Sequence, residues 1–290
     1  MKRHRVLLMG FDVRSNLLSL EIMEDWAPEV RAMHLKNREH ILAGLRLQFG
    51  EQGFEQKLAN FVDLGVDPIS VVAFHNVFFR EVRQSFVMGA YYPALTGVCA
   101  LGERVLNHLV RMLRDDYQGT PEYRTVASKD SFDDWRVVIE ALERWGVLVP
   151  MAAEAFRKLK TVRHRSLHFR PELEGDVRPQ ALDAIKLFQR IVDAQFGVFG
   201  PWHIPNDAGL PLVRKDAEDQ PFVRRVVVPN CAYVGPEHDL HPGPNGRWRV
   251  TDRADYPAEE IPDDEWVRRF KAAPHAGTQT GGQVQLATSA

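Results

Sequence analysis

The sequence predicts a mainly α-helical protein whose centre is an up-and-down helical bundle. Three observations predict it. Between residues 69 and 199, apolar residues recur at intervals of three and four, the spacing of one helix face. Gly89, Pro93, Gly146, Pro150 and Pro179 punctuate these stripes where one helix should give way to the next. Beyond Gly200 the composition changes: Pro201, Pro205, Pro211, Pro221, Pro229, Pro236, Pro242 and Pro244 exclude long helices.

Residues 1–68 read as an N-terminal extension, with helical spacing over Leu17 to Arg31 and Lys36 to Phe49, then Gly50, Gly53, Gly65 and Pro68. The bundle, 69–199, starts with a stripe of Val71, Phe74, Phe78, Val82 and Phe86. A long second helix carries Leu95, Val98, Leu101, Val105, Leu109 and Leu113 on its buried side, and Glu103, Arg104, Asn107, His108 and Arg111 elsewhere. Gln118 to Ser131 reads as a loop, with Ser131 as cap of a third helix whose apolar face is Trp135, Val138, Ile139, Leu142 and Trp145. Pro150 opens a fourth helix through Phe156, Leu159 and Val162. Pro179 opens a fifth with Leu182, Ile185, Phe188, Val192 and Phe196. In residues 200–271, the β-branched run Phe222 to Val228 is expected to be a strand, with Gly246 to Thr251 as its partner and a short helix over Pro262 to Lys271. Residues 272–290 lack periodicity and are expected to be disordered.

With 290 residues and 44% hydrophobic content, the chain can bury one large core or two modest ones. A net charge of -2 confines any nucleic-acid binding to a local patch. Cys99 and Cys231 are the two cysteines, which fits a reducing cytoplasm and neither a disulfide framework nor a cysteine-based zinc site. The apolar run Val6 to Phe11 is too short for a secretory signal, and no stretch is long enough to span a bilayer. A soluble cytoplasmic protein is the expectation. Glycine-rich phosphate loops, Gly-x-Ser-x-Gly elbows and Cys-x-x-Cys pairs do not occur, which argues against ATP-dependent and hydride-transfer chemistry.

The segment Arg163-His164-Arg165-Ser166-Leu167-His168 carries the chemistry. Arginine offers a permanent forked charge that matches phosphate oxygens, and histidine exchanges protons near neutral pH. Arg157, Lys158, Lys160, Arg163, Arg165 and Arg170 crowd the same stretch with no acidic residue among them. On an ideal helix, positions five apart point about 140° from each other. Arg163 and His168 therefore converge only if the helix distorts, the arginine curls round, or a second chain contributes.

This bundle, with an arginine, a polar residue, three positions and a histidine late in its order, resembles the HEPN superfamily over roughly residues 69–199. The run Gly89 to Ala94 leading to Glu103 resembles that family's long second helix. The resemblance implies metal-independent RNA cleavage by a homodimer, without cofactor, leaving 2′,3′-cyclic phosphate and 5′-hydroxyl ends. It implies a defence or toxin setting, with an antitoxin or sensor protein as a further partner; no membrane association is expected, because no apolar stretch is long enough to span a bilayer. Carried onto this chain, Arg163 and His168 are catalytic, and His164, Glu103 and Asn107 support them. Arg157, Lys160, Arg165 and Arg170 hold RNA phosphates. HEPN-like bundles also serve as non-catalytic adaptors or dimerisation modules, and RNA binding without turnover is a third reading.

Plainer readings stand beside these. The helix dipole favours cations at a C-terminal end without any RNA. His164 and His168 at four-residue spacing could ligate a metal, but no glutamate adjoins His164. Glu103 and Asn107 could form a polar ladder, and Tyr91 and Tyr92 could pack or stack on bases. His75 and His108 read as structural, and His238 and His241 as exposed loop histidines beside Asp239.

Overall fold

The computed structural model describes residues 1–7, 11–70, 73–167, 175–204, 211–243 and 248–274. The chain is mainly helical and divides into two compact units. One comprises Gly10–Pro68 and Val72–Gln195; the other comprises Met1–Met9, Ile69–Val71 and Phe196–Ala290. The expected extension, 1–68, is thus shared: its first residues go with the C-terminal unit and the rest with the bundle.

The helical unit begins with α1 (Arg14–Ser19), α2 (Pro28–Phe49) and α3 (Phe54–Leu64). The expected helix across Leu17 to Arg31 is broken: α1 ends at Ser19, where Leu20 turns to extended backbone, and Pro28 takes the first position of α2. Helices α4 (Ala73–Val87), α5 (Tyr91–Leu113), α7 (Trp135–Arg144), α8 (Pro150–Leu167) and α9 (Val177–Phe196) supply the bundle stripes, with a short α6 (Pro121–Val126) between α5 and α7. Their core includes Phe86, Val98, Leu101, Val105, Trp135, Leu142, Phe156, Leu159 and Phe188, all fully or almost fully buried. Phe79 is the buried phenylalanine of mid-α4. Phe78 lies at the edge, 5.8 Å beneath the Arg104 guanidinium.

Two local expectations are corrected. Part of the loop 118–131 is helical: Thr120 caps α6 by accepting from the Tyr123 amide at 3.3 Å, and Pro121 fills the first helical position. The cap of α7 is Asp134 and not Ser131. Its carboxylate accepts from the Arg136 amide at 3.0 Å, which places the cap directly before the first helical residue. Gly146 ends the turn after α7 with a φ of 68°.

The other unit holds β1 (Arg3–Val6), β2 (Cys231–Val234), β3 (Asp239–Pro242), β4 (Trp248–Thr251) and α10 (Asp263–Ala272). β1 pairs antiparallel with β2, setting Arg3 opposite Val234; β3 pairs antiparallel with β4, setting Asp239 opposite Thr251. The expected strand over 222–228 is instead a π-helical turn, Val223–Val227. Its buried residues are Val223, Val226 and Val227, a helical three-four spacing that outweighs the β-branched composition. The expected disordered tail lies outside the described residues from 275 onward. Among the described residues, no helix is long and apolar enough to cross a membrane.

Candidate functional site

The Arg-His segment ends α8, which packs against α5 and α7. Gly102 on α5 makes that packing possible. A Cβ there would come within 2.7 Å of the Trp135 ring and 2.9 Å of Leu159, so the missing side chain is the slot into which both fit. Seated in it, the Trp135 indole N–H donates to Glu103 Oε2 at 3.3 Å. The same carboxylate oxygen meets Arg163 Nη2 at 2.7 Å, and the Arg163 guanidinium lies 5.7 Å from the Trp135 ring centroid. Carboxylate, indole and guanidinium are therefore mutually engaged at one helix junction, with Arg163 and Glu103 each a little over a quarter exposed.

Asn107 sits one turn after Glu103 and clamps the approach to α7. Its amide donates to the Phe132 carbonyl at 3.0 Å and accepts from the Phe132 amide at 2.7 Å. Both hydrogen-bonding groups of that backbone residue are thus satisfied by one side chain. The role is to fix the loop that delivers Trp135. Arg111, a turn further, pairs with Asp130 of the same loop at 3.7 Å.

Three further cations of α8 meet carboxylates outside the segment 157–170. Arg157 pairs with Glu143 of α7, Lys158 with Glu154 at 2.6 Å, and Lys160 with Asp134 at 3.5 Å. The stretch holds no acid of its own, yet these three cations meet carboxylates outside it, of which Glu154 stands at the helical i,i+4 spacing from Lys158. His164 and Arg165 are exposed. His168 and Arg170 lie outside the described residues.

Beside this junction Cys99 is buried, its Sγ 3.9 Å from the Ser166 hydroxyl, which also donates to the Arg163 carbonyl at 3.3 Å. Burial pushes the thiol up to about 11, against smaller opposing effects of Ser166 and Arg163, so it is inert as a nucleophile at neutral pH. His75 meets His108 edge to face at 5.6 Å. Burial pushes His75 down to about 4, with His108 and the Arg104 charge acting in the same direction. Tyr91 is a packing residue: its ring lies 5.2 Å from Phe86 and its hydroxyl meets Asn60, while Tyr92 is exposed. His238, expected in an exposed loop, is fully buried, bonded to the Gly235 carbonyl and to Arg5 and in ring contact with Phe270. Among the described residues, no three His, Cys, Asp or Glu side chains cluster as a metal site.

Of the expected site residues, the fold thus joins Glu103 to Arg163 directly and Asn107 to their support. The fold adds Trp135 to this group, beyond its place on the apolar face of α7. Its signal was Gly102, a glycine inside a helix immediately before the glutamate. No family model, curated protein or solved structure matches the chain.

Proposed function

We propose that the chain is a metal-independent endoribonuclease of HEPN type that acts as a homodimer in the cytoplasm. The observation that supports it best is the anchoring of Arg163 at the end of α8. Glu103 engages its Nη2, Trp135 lies against the guanidinium, and among the described residues no hydrogen bond is made by the remaining donors of the fork, which suit a phosphate. In this reading the RNA 2′-oxygen attacks the adjacent phosphorus while the P–O5′ bond breaks. His168 of one protomer takes the 2′-hydroxyl proton and its counterpart in the second protomer protonates the departing 5′-oxygen. The products are a 2′,3′-cyclic phosphate and a 5′-hydroxyl. Arg163 carries the charge of the non-bridging oxygens. Glu103 is a positioning residue for Arg163, and His164 and Arg165 offer exposed contacts to the strand. A defence or toxin setting, with a restraining antitoxin or a sensor as protein partner, belongs to the same reading.

A second reading is a non-catalytic HEPN-like adaptor. The pairing of Arg157, Lys158 and Lys160 with carboxylates favours it, because matched cations attract polyanions less. One experiment separates the two. In EDTA, the wild-type chain is expected to cut single-stranded RNA and leave cyclic phosphate ends. Arg163→Ala and His168→Ala are each expected to lower the rate at least about 100-fold with unchanged circular dichroism. Cleavage that survives His168→Ala refutes the mechanism, and no cleavage of any RNA leaves the adaptor.

A further inference from the structure

The helix α2 has 22 residues, and only Leu45 and Phe49 of them are buried. Its length corresponds to about 33 Å of rod. One of its faces is served by its own chain. The Trp26 ring lies 5.1 Å from His34, Arg38 donates to the Leu20 carbonyl at 2.7 Å, and Leu45 and Phe49 enter the core.

A different face is left uncovered by the described residues. Val30, Met33, Asn37, His40, Gly44 and Leu47 follow one another at intervals of three, four, three, four and three, the spacing of a two-helix seam. Its apolar members are in water: Val30 is 36%, Met33 52% and Leu47 90% exposed. Gly44 supplies a separate observation. A glycine inside a helix destabilises it relative to alanine, so its presence calls for a reason. Gly102 has one in its own chain. At Gly44, an added Cβ would meet nothing within 4 Å among the described residues.

We propose that this face of α2 is a homotypic interface, on which α2 of a second copy packs antiparallel about a two-fold axis. The seam is complementary to itself in that orientation. Val30 meets Leu47 of the second copy, Met33 fills the space over Gly44, and Asn37 faces His40. Each pairing occurs twice, as an isologous contact requires. Apolar groups meet apolar groups, a long side chain meets the position without one, and an amide meets an imidazole at the centre. A central polar pair fixes register, as a lone buried asparagine does in coiled coils. An unrelated partner would leave this inward symmetry of sizes and polarities without a reason.

Sedimentation equilibrium of the full chain, without RNA, tests the surface. The wild type is expected to show a reversible monomer–dimer equilibrium. Leu47→Glu, which sets two carboxylates into the seam, is expected to raise the dissociation constant about tenfold or more. Gly44→Leu extends into open space in the single chain and is expected to keep the helical signal while blocking association to a similar degree. A wild type that stays monomeric at every soluble concentration overturns the proposal, as does a dimer indifferent to both substitutions. Amide exchange that finds the seam protected in the monomer would assign it to a cover within the same chain and overturn it too. A dimer indifferent to both substitutions overturns this surface and leaves the ribonuclease reading intact, whereas a chain that stays monomeric also removes the shared cleft of that reading, and RNA cleavage measured separately tells the two failures apart.

Discussion

The helices α2 and α5 are nearly equal in length, 22 and 23 residues, yet α2 buries two of its residues and α5 buries eleven. α2 carries an internal glycine at 44 and α5 carries two, at 97 and 102; Gly44 and Gly102 have opposite surroundings. A side chain at 102 would collide with Trp135 and Leu159, whereas a side chain at 44 would meet open space. Helix length is set by local propensity and by the absence of breakers, while burial is set by whether a matching stripe exists elsewhere in the chain. For α5 that stripe is supplied by α4, α7 and α8; for α2 it is largely lacking among the described residues. The same backbone element thus serves as scaffold in one place and as unsatisfied surface in the other.

The sharpest way to test the contrast is Trp135→Ala, which empties the slot beside Gly102 and removes both the indole donor to Glu103 and the face beneath Arg163. Urea denaturation is expected to show a loss of about 3–5 kcal/mol, the range for truncating a buried aromatic residue. A loss under about 1 kcal/mol would mean the junction is not tightly packed. Next in size is the paired comparison of the glycines. Gly102→Ala is expected to destabilise by about 1–3 kcal/mol through overpacking. Gly44→Ala is expected to stabilise the single chain by about 0.5–1 kcal/mol, the helix preference for alanine. Equal signs in the two melts would erase the distinction. The smallest effect is acid sensitivity at His75, which is half-buried on α4. Its pKa of about 4 in the fold lies below the ordinary value near 6.5, so the folded state prefers the neutral ring. Its contribution is complete above about pH 6.5. It declines as pH falls toward 4, because the unfolded chain takes up the proton first. His75→Gln is expected to flatten that part of the urea-midpoint profile between pH 7 and 4, measured against the wild type.

What could be read beforehand follows the range of each interaction. The helical character, the start of α8 at Pro150 and the end of α7 at Gly146 are local, and the sequence carries them. The cap of α7 lies three residues beyond Ser131, because the stretch offers Ser131, Asp133 and Asp134 in close succession, all competent acceptors. The valine-rich run at 223–227 reads as strand by composition, and its burial follows the helical three-four spacing that composition hides. The candidate site divides the same way. Arg163 and Glu103 were singled out separately by chemistry, but their pairing at 2.7 Å spans sixty positions and two helices. The neutralisation of Arg157 by Glu143 and of Lys160 by Asp134 is likewise a product of packing α8 on α7. Charge counted along a segment overstates charge presented by a surface.

The antiparallel ladder between β1 and β2 has a consequence for biosynthesis. Val6 pairs with Cys231, so the first strand leaves the ribosome roughly 225 residues ahead of its mate. At translation speeds of about 5–20 residues per second, that is a wait of about 10–45 s. During that interval the helices between them can already be complete. The nascent Arg3–Val6 edge must stay clear of other strands throughout, and its arginines and histidine are the kind of charged, hydrated side chains that discourage premature partners.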